Sequence, residues 1–328
     1  DYLYLKFMEI VMLDLAIIGG GPAGLTAGLY ATRGGLANVI MFELGMPGGQ
    51  ITQSSEIENY PGVTGEITGM ELMQPWPEQC SQFGLKTEMD EVKQVSKNED
   101  GTFHIITGSG KSYDAISVLV CTGSVPKRAK FIGEDEFFGR GVSTCATCDG
   151  FFYKDKIVSV IGGGDTALEE ALFLEKIVKK VYLVHRRDSF RASPSTIERV
   201  KKSDKIELLL NSQIKEVVGD NMGVTGIVVT QKVDGKDVEY SLPGVFVFVG
   251  RDVMNVSLKQ DDDSYLCNLN EAGEVIVDLE MQTNVPGLYA GGDIRINAPK
   301  QVVCAAGDGA TAAIKAIEFV NEYKEENA

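Results

Sequence analysis

Two cysteines separated by two residues, with a carboxylate directly after them, form the most reactive local pattern in the chain. Cys145-Ala146-Thr147-Cys148-Asp149 brings two thiols and an acid together within five residues. A C-x-x-C pair is typical either of one half of a zinc site or of a redox-active dithiol. Asp149 can supply the proton that a leaving thiolate needs, a role that falls to a carboxylate in a chain with only two histidines.

The remaining cysteines and histidines argue against zinc. No second C-x-x-C pair is present, and neither His104 nor His185 lies near the first in sequence, so the redox pair is favoured and no metal site is predicted. We predict structural roles for both histidines. The other four cysteines are solitary in apolar or helical contexts and are predicted to be buried small side chains: Cys80, Cys121, Cys267 and Cys304.

A glycine-rich turn follows the apolar, β-branched run at residues 13–18 and precedes a helical pattern and a second apolar run at 38–42. The turn consists of Gly19, Gly20, Gly21, Pro22, Ala23 and Gly24. In this context the glycines permit a tight turn, close approach of a pyrophosphate and close helix–strand packing, while the helix N-terminus favours the phosphate charge. Glu43 lies 24 residues after Gly19, where a carboxylate can accept hydrogen bonds from ribose hydroxyls. The alternative is a tight turn without a ligand.

The same arrangement recurs between the apolar runs at 156–161 and 181–184. Its turn consists of Gly162, Gly163, Gly164, Asp165, Thr166 and Ala167. The residue 24 positions after Gly162 is Arg186, flanked by His185 and Arg187, with Arg191 just beyond. Guanidinium groups suit a 2′-phosphate as an acid suits a 2′-hydroxyl, so the second turn is predicted to bind NADPH. A solvated basic run is the alternative.

A third glycine pattern lies near the C-terminus, at residues 283–294. An apolar strand there leads through Gly291 and Gly292 to Asp293, and a helix is predicted to start near Gln301. This pattern fits a flavin site in which Asp293 holds the ribityl chain and the helix start stabilises negative charge on the reduced ring. Two different dinucleotide sites in one chain indicate electron relay.

Composition excludes several classes of function. The 328 residues include 31 basic and 47 acidic side chains, a net charge of −16, which argues against nucleic acid and anionic membranes as partners. No apolar run approaches the 18 residues of a transmembrane helix. Residues 1–11 are apolar but lack the basic start and cleavage site of a signal peptide, and we predict an extension outside the fold.

The motifs occur in the order and spacing of low-molecular-weight thioredoxin reductases, which the chain resembles over about residues 13–325. They are GGGPAG, GMPGGQITQSSEIENYPG, CATCDGFFY, GGGDTALEEALFL, HRRDSFRAS and AGGDI. The resemblance implies a cytoplasmic homodimer that uses FAD and NADPH to reduce thioredoxin. It implies a Cys145–Cys148 redox disulfide in which Cys148 faces the flavin and Cys145 attacks the partner, with Asp149 as the acid. It also implies flavin contacts from Gly48, Gly49, Gln50, Asn59, Gly123, Gly292, Asp293, Gln301 and Val302.

The fold implied by this resemblance is α/β, with two Rossmann-like three-layer domains. Residues 13–124 and 253–328 are expected to form a discontinuous FAD domain, into which an NADPH domain carrying the dithiol, 125–252, is inserted. One local departure is expected: Pro75 and Pro77 interrupt a helix predicted from about Met70 to Phe83, so a kink or a late start should occur there.

Two other functions remain open at this point. One is a related flavoprotein disulfide reductase with a different protein acceptor. The other is a nucleotide-sensing protein without turnover, which would leave the coexistence of a dithiol and two cofactor sites unexplained. Turnover with NADPH, in the presence and absence of thioredoxin, separates these possibilities.

Overall fold

The computed structural model describes residues 12–54, 57, 59–65 and 67–327. The extension predicted at residues 1–11 lies outside the described residues. The chain divides into two compact units: the first runs up to Ser124 and resumes at Val253, and the second is Val125–Asp252.

The described residues form seventeen strands and seven α-helices. The strands are β1 (Met12–Ile18), β2 (Val39–Phe42), β3 (Lys86–Glu88), β4 (Val92–Lys97), β5 (Phe103–Thr107), β6 (Ser112–Val120), β7 (Ser124–Pro126), β8 (Val142–Ser143), β9 (Ile157–Gly162), β10 (Lys180–Val184), β11 (Ile206–Leu209), β12 (Ser212–Asp220), β13 (Gly223–Gln231), β14 (Asp237–Ser241), β15 (Gly244–Phe248), β16 (Arg251–Val253) and β17 (Leu288–Ala290). The α-helices are α1 (Pro22–Arg33), α2 (Gly69–Met73), α3 (Pro75–Gln82), α4 (Ala146–Asp149), α5 (Asp165–Leu174), α6 (Pro194–Lys202) and α7 (Val302–Glu326). Short 3₁₀ helices occupy Gln50–Gln53, Gly150–Tyr153 and Val256–Leu258.

The first unit is built on a seven-stranded sheet of order β3-β2-β1-β6-β5-β4, with β17 also paired to β6. β1 lies parallel to both β2 and β6 at the centre. The other edge of β6 is divided between two partners: its first half pairs with β5 in an antiparallel sense, and its last three residues pair with β17 in a parallel sense. This division brings the ends of β1, β6 and β17 to the same edge of the sheet.

The apolar run of β1 has no polar alternation because the strand is buried on both faces. Leu15 and Ile17 contribute to the core on one side of the sheet, and Ala16 and Ile18 to the core on the other. Helices α1 and α7 pack together over the first of these cores. Pro22 opens α1 at a position where its missing N–H costs no hydrogen bond.

The second unit contains a five-stranded parallel sheet of order β11-β10-β9-β15-β8 and a separate antiparallel sheet, β12-β13-β14. Val158 and Val160 of β9 pack beneath α5, while Ile161 faces the opposite core. The connecting strands β7 and β16 pair with each other. These parallel sheets with helices confirm the predicted α/β, Rossmann-like class.

The predicted interruption at the proline pair is confirmed. One helix ends at Met73 and the next begins at Pro75, with Gln74 between them in helical conformation. Proline removes the N–H that would continue the ladder, so the chain restarts with Pro75 in the first turn of α3. Within the part of the chain that the structure describes, no helix is long and apolar enough to cross a bilayer.

Candidate redox site and nucleotide-binding turns

Cys145 and Cys148 form a disulfide at the start of the short helix α4, with their Cα atoms 5.3 Å apart. β8 ends at Ser143, whose hydroxyl accepts a 3.1 Å hydrogen bond from the Cys145 amide and so orients the loop. The Cys148 amide points at Cys145 Sγ from 3.2 Å. A donor aimed at sulfur favours its charged form, so after reduction the backbone stabilises a thiolate on Cys145.

Asp149 occupies a partly desolvated position directly after the disulfide. Burial raises the pKa of its carboxyl, and a hydrogen bond from Ser143 offsets only part of that rise. The neighbouring Tyr153 responds to the same surroundings, because burial and the Asp149 charge raise its pKa to about 12. A carboxyl that holds its proton to higher pH than an exposed aspartate is suited to donate that proton to a leaving thiolate.

The surface beside the disulfide carries large apolar side chains. Phe151 is 62% exposed and Phe152 is 40% exposed. Both lie in the 3₁₀ helix Gly150–Tyr153, which begins directly after Asp149. Exposed aromatic pairs of this kind are characteristic of protein contact surfaces.

The first glycine turn is tied to the end of β2 by the side chain of Glu43. Glu43 Oε2 accepts a 2.6 Å hydrogen bond from the Gly20 amide, and Oε1 accepts one of 3.0 Å from the Gly45 amide. The predicted tight packing at Gly24 is present, because a Cβ built there would lie 1.9 Å from the Gly19 carbonyl oxygen. No other residue fits at that position without moving the turn.

The residues expected to contact flavin converge on this turn within the first unit. The Gly48 amide donates to the Gly20 carbonyl at 2.8 Å, and Gly49 lies against Gly21. The Gln50 side-chain amide donates to the Ser124 carbonyl at 2.6 Å, next to Gly123.

The C-terminal part of the same set also comes together in pairs. Asn59 donates from its side-chain amide to Gln301 Oε1 at 3.1 Å, joining the loop before α2 to the residue that precedes α7. Gly123 lies next to Asp293, since a Cβ built on Gly123 would be 4.0 Å from that of Asp293. Val302 is the first residue of α7. Of this set, Gly292 lies against the first glycine turn, since a Cβ built on it would be 3.2 Å from that of Ala23.

The second glycine turn is tied down differently. The Arg191 amide donates to the Gly163 carbonyl at 2.8 Å, and the Ser193 amide donates to Asp165 Oδ1 at 2.7 Å. The ring of His185 packs over Gly163, where a Cβ would lie 2.1 Å from the imidazole. Thr166 and Ala167 continue from Asp165 into α5.

His185 acts here as a packed side chain that shapes the loop. Its Nε2 lies 3.0 Å from the Ser189 carbonyl, and its ring stacks on Phe190. Burial and the adjacent arginines lower its pKa, so the imidazole is neutral at physiological pH. The other histidine, His104, pairs with Asp114 at 2.7 Å across β5 and β6, which confirms its predicted structural role.

The three arginines that follow β10 and are predicted to bind the 2′-phosphate are all exposed: Arg186, Arg187 and Arg191. None of them forms an ion pair with another of the described residues, although the chain carries an excess of acidic groups. Their guanidinium groups are therefore available for a phosphorylated ligand.

Comparison with known proteins agrees with this arrangement. Residues 13–309 match the pyridine nucleotide-disulphide oxidoreductase family. A thioredoxin reductase of Helicobacter pylori is 56% identical over 312 residues, covering 95% of this chain and 100% of that protein. Another, from Peptoclostridium acidaminophilum, is 43% identical over 319 residues, covering 95% and 98%. The solved thioredoxin reductase structure from Streptococcus pyogenes is 35% identical, with a TM-score of 0.88, and the match covers 95% of this chain and 99% of that one.

The chain belongs to the thioredoxin reductase family. The Cys145–Cys148 disulfide of the second unit is consistent with the redox-active disulfide of this family.

Several polar residues of this thioredoxin reductase were not identified as functional from sequence. Ser143 has no motif that marks it, yet it hydrogen-bonds the Cys145 amide. Arg295 and Asp308 form a largely buried pair beside Gly292. The carboxylate of Asp165, a predicted cofactor contact, also accepts a hydrogen bond from the Ser193 amide, which the sequence did not indicate.

The prediction for the solitary cysteines of this thioredoxin reductase is confirmed for three of the four. Cys80, Cys121 and Cys267 are buried, and burial raises the pKa of Cys80 and of Cys267 to about 11. The prediction is wrong for Cys304, which is half-buried in the first turn of α7. A residue in the first turn of a helix borders the solvated helix end, which the apolar sequence context does not reveal.

Proposed function

We propose that this chain carries electrons from NADPH, through bound FAD and the Cys145–Cys148 disulfide, to a disulfide of thioredoxin. The observation that carries the proposal is the disulfide followed directly by the partly buried Asp149. The same chain has two glycine turns, and the residues 24 positions after their first glycines, Glu43 and Arg186, have opposite charge. Such a set has no use in a dehydrogenase that transfers hydride to a small substrate.

The first unit fits FAD. Backbone amides at the first turn can face a pyrophosphate, and the Glu43 carboxylate retains acceptor capacity for ribose hydroxyls beside its two amide contacts. Asp293, next to Gly123, and the Asn59–Gln301 pair supply further polar groups in the same unit.

The second unit fits NADPH. The glycine turn that opens α5 has the geometry for a pyrophosphate, and the exposed arginines beside it supply the positive charge that a 2′-phosphate requires. We assign the 2′-phosphate to Arg186, Arg187 and Arg191.

When bound, FAD supplies the chemistry that converts a hydride from NADPH into two electrons for a disulfide. The Cys145–Cys148 bond accepts those two electrons, and two protons complete a pair of thiols. The Cys145 thiolate, favoured by the Cys148 amide, attacks a partner disulfide and forms a mixed disulfide while one partner sulfur leaves. Cys148 then attacks Cys145 Sγ, which re-forms the intramolecular bond and releases the second partner sulfur. Asp149 donates a proton to the Cys148 sulfur when the Cys145–Cys148 bond is reduced and takes it back when Cys148 becomes the nucleophile.

Recognition of a protein partner is supported by the exposed aromatic side chains Phe151 and Phe152, which adjoin the disulfide. Burying them against a partner would bring its disulfide to the reactive sulfurs. From the resemblance, we also propose a homodimer that works in the cytoplasm.

The decisive experiment measures NADPH oxidation by the FAD-loaded protein with an aromatic disulfide reporter. Assays with thioredoxin, without it, and with a thioredoxin lacking its cysteines are compared. We expect rapid turnover only with intact thioredoxin. Equal rates in all three assays would exclude thioredoxin as the acceptor, and failure to bind FAD would exclude the flavoenzyme assignment altogether.

A further inference from the structure

A charged pair lies largely buried beside the third glycine pattern of the first unit. Arg295 Nε donates to Asp308 Oδ2 at 2.7 Å, and Nη2 donates to Oδ1 at 2.8 Å, so the guanidinium and the carboxylate meet in a two-pronged contact. The side chains are only 15% and 9% exposed. No sequence motif predicted this pair.

The pair joins two segments that are both expected at the flavin. Asp308 is in the second turn of α7, and its Oδ2 also accepts a 3.0 Å hydrogen bond from the Gly292 amide, one residue before Asp293. The Arg295 amide returns to the Gly292 carbonyl at 3.2 Å, and Nη1 donates to the Ile296 carbonyl at 2.8 Å. The contacts to Asp308 hold the segment at 292–296 against α7, and the two contacts within the segment fix its shape.

Stability alone is a weak reason for this arrangement. Removing two charges from water is costly, and a well-packed apolar pair of similar volume is often as stable as a buried ion pair. What an apolar pair cannot provide is the directional contact to the Gly292 amide, which sets the angle of the turn that presents Asp293.

We propose that Arg295 and Asp308 are positioning residues for the flavin site. Together they fix the turn bearing Asp293 relative to the start of α7, where Gln301 is held by Asn59. The pair takes no part in electron or proton transfer. It sets the spacing between two groups proposed to bind the flavin. This inference rests on the proposed function, because it requires FAD in the first unit.

The test uses a variant that separates positioning from stability. In the double variant Arg295→Met/Asp308→Leu, no buried charge is left unpaired, so the apoprotein should retain a melting temperature close to that of the wild type. Its affinity for FAD, measured by quenching of flavin fluorescence on titration of apoprotein, should fall at least tenfold. The rise in melting temperature at a fixed FAD concentration should shrink accordingly. Asp308→Asn, which retains an acceptor for the Gly292 amide, should lose less affinity than the double variant.

A matched control is available on the same helix. Lys324, near the end of α7, pairs at 2.7 Å with the buried Asp14, which lies near the start of β1 and so at the end of that strand away from the first glycine turn. Lys324→Met should lower the melting temperature of the apoprotein while leaving FAD affinity within twofold of the wild type. If the double variant and Asp308→Asn both bind FAD with wild-type affinity, the inference is overturned and the pair has only a structural role. If the wild type itself does not bind FAD, the proposed function fails instead.

Discussion

Replacing Arg186, Arg187 and Arg191 together tests the assignment of NADPH most directly. The variant Arg186→Gln/Arg187→Gln/Arg191→Gln keeps the backbone contact between position 191 and Gly163, because that bond uses only the main chain. A charge-assisted hydrogen bond contributes about 1.5–3 kcal/mol. Since all three side chains are exposed and screened, the lower value applies, which is roughly tenfold per arginine. Neighbouring contacts are not additive, so we expect kcat/KM for NADPH to fall on the order of 10²–10³-fold.

The same variant should leave kcat/KM for NADH nearly unchanged, because NADH has no 2′-phosphate. Both cofactors are assayed with thioredoxin and a disulfide reporter at fixed ionic strength. The control is Arg199→Gln, which removes an exposed charge of the same type from α6 in the same unit. A loss shared equally by NADPH and NADH, or an equal loss in the control, would show that these arginines act only through general attraction and do not bind the 2′-phosphate.

Three further outcomes are expected at the dithiol and the first turn. Asp149→Asn should slow turnover about 10²–10⁴-fold with FAD content unchanged. Because burial raises the pKa of Asp149, its charged form is disfavoured in the folded protein; the substitution should therefore raise the melting temperature at neutral pH, and this gain should vanish as the pH falls below the ordinary pKa of aspartate. Cys148→Ser should trap a stable mixed disulfide between Cys145 and a single-cysteine thioredoxin, visible on non-reducing gels, whereas a trap formed only by Cys145→Ser would reverse the assigned roles. Gly24→Ala should yield protein without bound flavin absorbance, because the added methyl group meets the Gly19 carbonyl; normal FAD content would contradict the close packing.

Local patterns predicted the elements that carry the glycine turns with little error. The first strand was expected at 13–18 and spans Met12–Ile18, and the run at 181–184 lies within Lys180–Val184. Both are parallel strands buried on two faces, so their apolar runs are unambiguous. The helix after the second turn ends at Leu174, although its apolar pattern continues to residue 177. The Ile177 amide there bonds to the Leu174 carbonyl in a tightened turn, and the side chain still packs on the core.

Hydrogen bonds between side chains and groups distant in sequence could not be predicted from the sequence. Asp308 follows Gly292 by sixteen residues, and nothing in either neighbourhood specifies that a carboxylate on a helix will receive the amide of a turn. Ser143 lies two residues before the dithiol, but its role depends on how β8 ends and how α4 begins. Motifs predict groups that face a ligand, because the ligand fixes their spacing; the groups that hold those motifs in place are set by the packing of this particular chain.

In each glycine turn, the hydrogen bonds that hold the loop limit which side chain can occupy the ribose-reading position, the residue 24 positions after the first glycine. In the first turn, the carboxylate of Glu43 both occupies that position and holds the Gly20 amide. In the second turn, the loop is held by hydrogen bonds to the Gly163 carbonyl and to the Asp165 carboxylate. Neither residue is at the ribose-reading position. That position is therefore released to carry Arg186, and the loop keeps its shape without an acid there. Exchanging Glu43 and Arg186 would remove the hydrogen bond that holds the first loop but none of those that hold the second. Under the proposed assignment, the preference of each turn for its nucleotide depends on how its loop is held as well as on the charge that the loop presents.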